Sequence, residues 1–146
     1  MGATFADEEG AIHPLLLGSY GIGITRLLAC VIEYYHDDDG IRWPVGVAPY
    51  RHHLVVLGSD ETALAAAEAI YTALGADTTL YDERELSAGV KLKDANLLGM
   101  PPRVTVGARS LAAGGAELRL RATGETRLAA IAEVPRVASG MLATAS

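Results

Sequence analysis

From residue 53 onward the chain alternates between two hydrophobic periods, and that alternation leaves few folds open. HLVVLGS, residues 53–59, is a short β-rich run. SDETALAAAEAIYTALGA follows with helically spaced apolar residues, an N-cap candidate at Ser59 or Asp60 and a stop at Gly75. DTTLYDE (77–83) reads as a second strand, AGVKLKDANLLG as a second helix closing at Gly99, and RVTVGA (103–108) as a third strand. This order predicts an α/β domain with a mixed, largely parallel sheet and helices on both faces, because right-handed crossovers return each strand beside an earlier one. The Thr123-Gly124 step then joins two alternating runs into a hairpin, followed by a short Ala-rich tail.

The first forty residues are poorer in elements. PLLLGSYGI alternates as a strand does and passes near Thr25 into helical RLLACVIEYYH, with Leu27, Leu28, Val31 and Tyr35 on one face. One strand and one helix cannot bury their apolar faces unaided, so this stretch reads as the edge of something larger. HDDDGIRWP, residues 36–44, marks the expected boundary and divides the chain into 1–44 and 45–146.

Half of the 146 residues are hydrophobic but only 5% are aromatic, so the core is expected to be built from small aliphatic side chains. No apolar run approaches the roughly 18 residues of a membrane span. The start, MGATFADEEG, is acidic where a secretory signal is basic and then apolar, so the expected setting is the cytosol, away from membranes. Cys30 sits among Leu27, Leu28, Val31 and Ile32 and is expected to be an inert buried thiol. His36 beside Asp37 to Asp39 reads as a solvated helix end in preference to a metal site, and no metal site is expected.

The formal net charge is -6, which argues against indiscriminate nucleic-acid binding. Its distribution is uneven. Residues 1–50 carry two arginines against seven acids, residues 51–102 four bases against eight acids, and residues 103–146 six arginines against three acids. The basic last third is either a phosphate-facing surface or a solvated face.

GSYGIGITRLL, residues 18–28, carries the most pointed local chemistry. If residues 16–24 are extended, Gly21 and Gly23 share one face and leave it bare, which suits a flat ligand or a neighbouring backbone. Arg26 then falls in the first helical turn, where the dipole disfavours a cation unless an anion is bound. The run lacks the Gly-Lys-Ser/Thr ending of a P-loop, and Arg26 occupies the place of the third glycine in a dinucleotide fingerprint. A phosphate site and plain close packing of strand on helix both remain open on spacing alone.

GSYGIGITRLLA resembles motif 3 of the class II aminoacyl-tRNA synthetases, and PLLLGSYGIGITRLLACVIEYYHDDDGIRWPVGVAPY is similar to the bacterial-type prolyl-tRNA synthetase family. DERELSAGVKLKDANLLGMPPRVTVGARSL resembles that family's class IIa anticodon-binding segment. The resemblance implies a remnant of an antiparallel class II catalytic domain followed by an anticodon-binding domain. It makes Gly21 and Gly23 the wall beside adenine, Arg26 the cation on the ATP triphosphate, and Gly18 and Ser19 the border of the amino-acid pocket, with Ser19 where the family usually has Cys. It places Arg84 and Lys91 at the anticodon loop, while Asp82 either accepts from a base edge or pairs with Arg84, the pairing being preferred. Asn96 and Pro102 depart from the family's wording.

The implied partners are tRNA(Pro), proline and ATP with Mg2+, in a parent enzyme expected to be a homodimer. Motif 1, the motif 2 arginine and the acidic residues for the substrate amine are not in this sequence. The chain therefore reads as a C-terminal part of such a ligase, inactive in proline activation by itself. The alternative is a free-standing, non-catalytic tRNA-binding protein. Sister enzymes for threonine, histidine or glycine fit the wording of residues 18–44 less well.

Overall fold

A computed structural model describes residues 2–145. Two small antiparallel hairpins flank the first helix: β1 (Thr4–Ala6) with β2 (Ile12–Pro14), then α1 (Ile24–Tyr34), then β3 (His36–Asp37) with β4 (Gly40–Ile41). The remaining elements are β5 (His52–Leu57), α2 (Glu61–Leu74), β6 (Thr79–Asp82), α3 (Ala88–Leu98), β7 (Pro102–Gly107), α4 (Ala108–Ala112), β8 (Ala116–Leu120), β9 (Thr126–Ala129) and α5 (Val134–Thr144).

The strand and helix pattern of residues 53–108 is realised nearly as the alternation predicts. Asp60 caps α2 by accepting from the backbone N–H groups of Thr62 and Ala63, and Ser87 caps α3 through Val90 N–H. Gly99 ends α3 in the left-handed conformation, φ 70°. Only glycine fits there, since a Cβ would lie 1.8 Å from the Ile41 carbonyl oxygen. The expected second strand begins two residues late because Ala76–Thr78 form a single 3-10 turn.

The five strands run in the order β6-β5-β7-β8-β9. β5 pairs in parallel with both β6 and β7, whereas β8 and β9 extend the sheet antiparallel. The sheet is thus evenly mixed rather than largely parallel, because the hairpin at Gly124 adds two antiparallel pairings to the two parallel ones. The chain leaves β5 toward β6 on one side and then crosses to β7 on the other, so the carboxyl ends of β5 and β7 form a topological switch point.

Alternation gives the sheet two chemically different faces. Leu54, Val56, Val104, Val106, Ala116, Leu118 and Leu120 point to one side and pack with Ala63, Ala67 and Ile70 of α2 and Val134, Ala138 and Met141 of α5. Burying a Leu or Ile of this kind contributes about 1.5–3 kcal/mol, and this layer holds the apolar core. The other face carries His53, Val55, Arg103, Thr105, Glu117 and Arg119, and α3 lies over its parallel part. The Ala-rich tail, read from sequence only as a tail, is α5, which closes the apolar face.

Two expectations about the first forty residues fail for one physical reason. Residues 15–23 form no strand, and Tyr20 is 98% exposed. A strand exists only where a neighbour receives its backbone hydrogen bonds, and past Leu15, whose N–H reaches the Ala3 carbonyl, no strand among the described residues lies beside this run. Likewise α1 forms over the expected residues but buries none of them, so Cys30 is exposed rather than buried.

The expected boundary run is a docked hairpin. Asp37 takes a bidentate pair from Arg121, one arm at 2.7 Å, while Arg42 Nη2 donates to the Ala122 carbonyl at 3.0 Å. Trp43, 8% exposed, donates from Nε1 to the Leu98 carbonyl at 3.0 Å.

Candidate functional site

Helix α3 covers only half of the polar face. Over β7, β8 and β9 that face opens as a cleft of about 750 Å³, roofed by the turn at Gly107 to Ser110 and walled by Leu92 of α3. Its position at the carboxyl ends of β5 and β7 follows from the topology, since helices on opposite sides of the sheet diverge there. The register aligns Thr105, Glu117 and Leu128 in one row across the floor, and Arg103, Arg119 and Thr126 in the next. Gly107 lets β7 pass close to β5, because a Cβ would meet the Leu57 carbonyl oxygen at 3.0 Å.

The electrostatics of the floor are unbalanced. Arg103 and Arg119 stand directly opposite each other, an arrangement that costs stability in a sheet. Burial, and then Arg119, push the pKa of Arg103 down. Asn96 Oδ1 accepts from Arg103 Nη1 at 3.1 Å, but Arg103 Nε is buried without a partner. Thr105 is 6% exposed, and its hydroxyl also lacks a partner. Of the six arginines in the last third, Arg121, Arg127 and Arg136 are held by carboxylates and Arg103 by Asn96. Among the described residues, the side chains of Arg109 and Arg119 enter no hydrogen bond or ion pair. Arg109, Glu117 and the unsatisfied Thr105 hydroxyl therefore line one cleft, with Arg119 one register row away on the same face, which suits an anionic ligand bearing hydrogen-bonding edges.

Asp82, Arg84 and Lys91 lie at the other side of α3, two of them beside a smaller pocket of about 560 Å³ that His53, Asp94 and Leu97 also line. Asp82 and Arg84 pair, with Arg84 Nε to Asp82 Oδ1 at 2.9 Å and Nη2 to Oδ2 at 2.8 Å. Arg84 also reaches Asp94 at 2.8 Å. Hydrogen bonding from Arg84 holds the Asp82 carboxyl below its ordinary range. Lys91 is 2% exposed. Its ammonium donates to the Val56 carbonyl at 2.6 Å and lies 3.7 Å from Asp82 Oδ1. The resemblance puts Lys91 at the anticodon loop, but here the ammonium is buried and spent on ties to β5 and β6, so it holds α3 in place.

Gly18, Ser19, Gly21, Gly23 and Arg26 are all exposed. Gly23 sits at the N-cap of α1 without a side-chain cap, no acid occupies the first turn, and among the described residues Arg26 has no partner. The free helix start and its unpaired guanidinium remain compatible with a phosphate, although no flat glycine face forms within these residues. The exposed His36 ring contacts the Glu33 carbonyl. Among the described residues no group of three or more His, Cys, Asp or Glu is placed to hold a metal, and no helix is long and apolar enough to cross a membrane.

Sequence reading missed Thr105, Arg109, Glu117 and Arg119. A signal existed, because the alternation of AELRL sets Glu117 and Arg119 on the face opposite Leu118 and Leu120, within the basic third.

Comparison with known proteins places this chain in a family. Residues 45–140 match the family model described as the anticodon binding domain. A proline--tRNA ligase of Dehalococcoides mccartyi is 50% identical over 130 residues, which cover 87% of this chain and 23% of that protein. A proline--tRNA ligase of Anaeromyxobacter sp. is 45% identical over 141 residues, 95% of this chain and 25% of that protein. The chain therefore spans about a quarter of the length of these curated relatives. A solved structure, Giardia lamblia prolyl-tRNA synthetase in complex with prolyl-adenylate, superposes with a TM-score of 0.70 at 26% identity, covering 82% of this chain and 28% of that one. The chain belongs to the anticodon-binding-domain family.

Proposed function

We propose that this chain is the C-terminal, tRNA-reading part of a proline--tRNA ligase, with residues 1–44 a piece of the catalytic domain and residues 45–146 the anticodon-binding domain. The observation that carries the reading is the open polar half of the sheet, where Arg109 and the unsatisfied Thr105 hydroxyl line the cleft and Arg119 occupies the next register row, both arginines lacking partners among the described residues. Unstacked loop bases present donors and acceptors on their edges, and their phosphates need cations. Thr105 and Glu117 supply hydrogen-bonding groups for a base edge, and the two arginines supply the charge. The walls are aliphatic, so recognition here runs through hydrogen bonds and phosphates without aromatic stacking. Arg84 offers its exposed half to a neighbouring phosphate, while Asp82 and Lys91 hold it and α3 in place.

In the whole enzyme, the Arg26 guanidinium neutralises charge on the ATP triphosphate while the proline carboxylate attacks the α-phosphate. Gly21 and Gly23 become the adenine wall, and Gly18 and Ser19 border the proline pocket, once neighbouring strands are present. No ligand set for the accompanying Mg2+ lies among the described residues. A cytosolic homodimer is part of the same proposal. The intact run around Arg26, which a pure binding protein has no use for, weighs against a free-standing accessory protein.

The test is equilibrium binding of this chain to tRNA(Pro) and to the same tRNA with an exchanged anticodon. The native anticodon should bind more tightly, with a salt slope that falls by about 0.7 when Arg119→Ala removes one phosphate contact. Equal binding of both tRNAs, or an unchanged slope in both Arg109→Ala and Arg119→Ala, would reject the cleft as the reading surface. The chain alone should show no proline-dependent pyrophosphate exchange, and robust exchange would refute the partial-enzyme reading.

A further inference from the structure

The edge of the sheet away from the nucleic-acid cleft carries a second constellation. β6 is the edge strand, and its alternation turns Thr79 and Tyr81 to the side of the sheet on which α2 packs, in register with His52 and Leu54. There Tyr50, Glu68, Tyr71, Thr79, Tyr81 and Glu83 surround a cavity of about 480 Å³.

Three observations give this cavity a chemical preference. First, the Tyr71 and Tyr81 rings lie 5.1 Å apart at 31°, and Tyr50 adds a third ring, so three aromatic rings with negative quadrupoles line one cavity. Second, the two carboxylates lack a neutralising cation, although Glu68 also accepts a hydrogen bond from the Tyr81 hydroxyl. Neither Glu68 nor Glu83 enters an ion pair among the described residues, and no Lys or Arg lines the cavity. The nearby Arg84 is already committed to Asp82 and Asp94. Burial, with Glu68 and Glu83 adding to it, pushes the Tyr81 hydroxyl up to about 12, so the phenol stays neutral. Third, Thr79 is 3% exposed and its hydroxyl has no partner among the described residues. An unsatisfied buried oxygen is costly unless something outside the chain donates to it.

We propose that this cavity is a binding site for an organic cation, an ammonium or guanidinium on an aliphatic stem. The rings attract the charge through their faces, the carboxylates neutralise it, and the Thr79 hydroxyl accepts one of its N–H groups. The stem lies along the apolar edge at Leu80, which also lines the cavity. Such a cation arrives either as a free polyamine or as a Lys or Arg side chain of a bound peptide. The site is on the opposite face from Thr105 and Glu117, so it stands or falls independently of the tRNA reading.

The experiment is an NMR titration of the full chain, following the ring resonances of Tyr71 and Tyr81. The probes are spermidine, blocked lysine amide, blocked arginine amide and the neutral blocked norleucine amide. The expected result is a saturable shift with at least one cation and none with norleucine amide. Tighter binding of spermidine assigns a free polyamine, and tighter binding of a blocked amino acid assigns a side chain. Because both glutamates are exposed, Glu68→Gln and Glu83→Gln should fold normally, and each should weaken binding about threefold and both together about tenfold. Absence of saturation with all three cations, an equal response to norleucine amide, or affinity unchanged in the double variant would overturn the site.

Discussion

Helices α1 and α2 are built from the same apolar period, yet they end in opposite situations. α2 has an aspartate cap, a glycine stop and three residues, Ala63, Ala67 and Ile70, sealed against the sheet. α1 starts at an uncapped glycine and buries nothing, while Leu27 and Leu28 remain half exposed. The contrast extends to whole regions. Every member of the apolar core belongs to β5 or a later element, whereas residues 2–42 hold on through their last hairpin, by Asp37 and Arg42. Periodicity thus identifies a helix in either region, but only packing tells which helix contributes stability.

The largest expected effect lies in the packed region. Lys91→Ala leaves the Asp82 carboxylate and the Val56 carbonyl short of a buried partner, and should cost about 3–5 kcal/mol. Urea denaturation measures it. Lys91→Met keeps the stem's packing and should recover part of the loss. Equal midpoints for wild type and Lys91→Ala would mean that the ammonium does not tie α3 to β5.

Next comes the response to acid. His52 and His53 open β5 and are buried, and burial, as the leading cause, lowers both to about 4. The unfolded chain titrates its histidines near 6.5, so between about 6.5 and 4 it binds more protons than the folded one. Stability is therefore full above about pH 6.5 and falls toward pH 4, by up to about 1.4 kcal/mol per pH unit for each histidine. Denaturation midpoints across this range should slope less in His53→Gln, and an unaltered slope would clear His53 of the effect.

Much of this architecture is legible in the letters, and the exceptions have causes. Asp60, Gly75, Ser87 and Gly99 act within a few residues of themselves, so caps and stops can be read locally. Cys30 cannot, because burial of a helix face depends on what packs against it, and α1 buries none of its residues. Lys91 misleads for the converse reason. A lysine four residues into a helix looks like a surface charge until the fold brings Val56, 35 residues away, within 2.6 Å. The cleft fell between these cases: its floor residues alternate visibly along AELRL, but their convergence with Arg109 depends on the register of β7 on β8.

The joint between the two regions should yield more gently. Arg121 holds Asp37, Gly40 and Asn96 together, and hydrogen bonding from Arg121 draws the Asp37 carboxyl down to about 2. A depressed carboxyl contributes stability above its unfolded value near 3.9, and loses that contribution as pH falls toward 2. The joint should outlast the histidine-dependent weakening of β5 on acidification. Arg121→Ala should speed amide exchange in β3 and β4 while leaving β5 and β7 protected. Equal acceleration in both regions would show the hairpin to be part of the core's cooperative unit.

The smallest effect is predicted where sequence hydrophobicity is highest and packing is least. Leu27→Gln together with Leu28→Gln places two amides on a helix face that touches no core. Surface changes of this kind usually alter stability by no more than about 0.5 kcal/mol each, so the thermal midpoint of this chain should stay near that of wild type. Solubility should rise, since two exposed apolar side chains are removed. The same pair in the complete ligase is expected to be costly, because the proposal makes α1 part of a larger catalytic domain in which a neighbour would cover its apolar face. A large loss in the isolated chain would show that α1 already has a buried face, and the contrast between the two helices would collapse. A negligible loss in both settings would leave the contrast standing but remove the covering neighbour from the proposal.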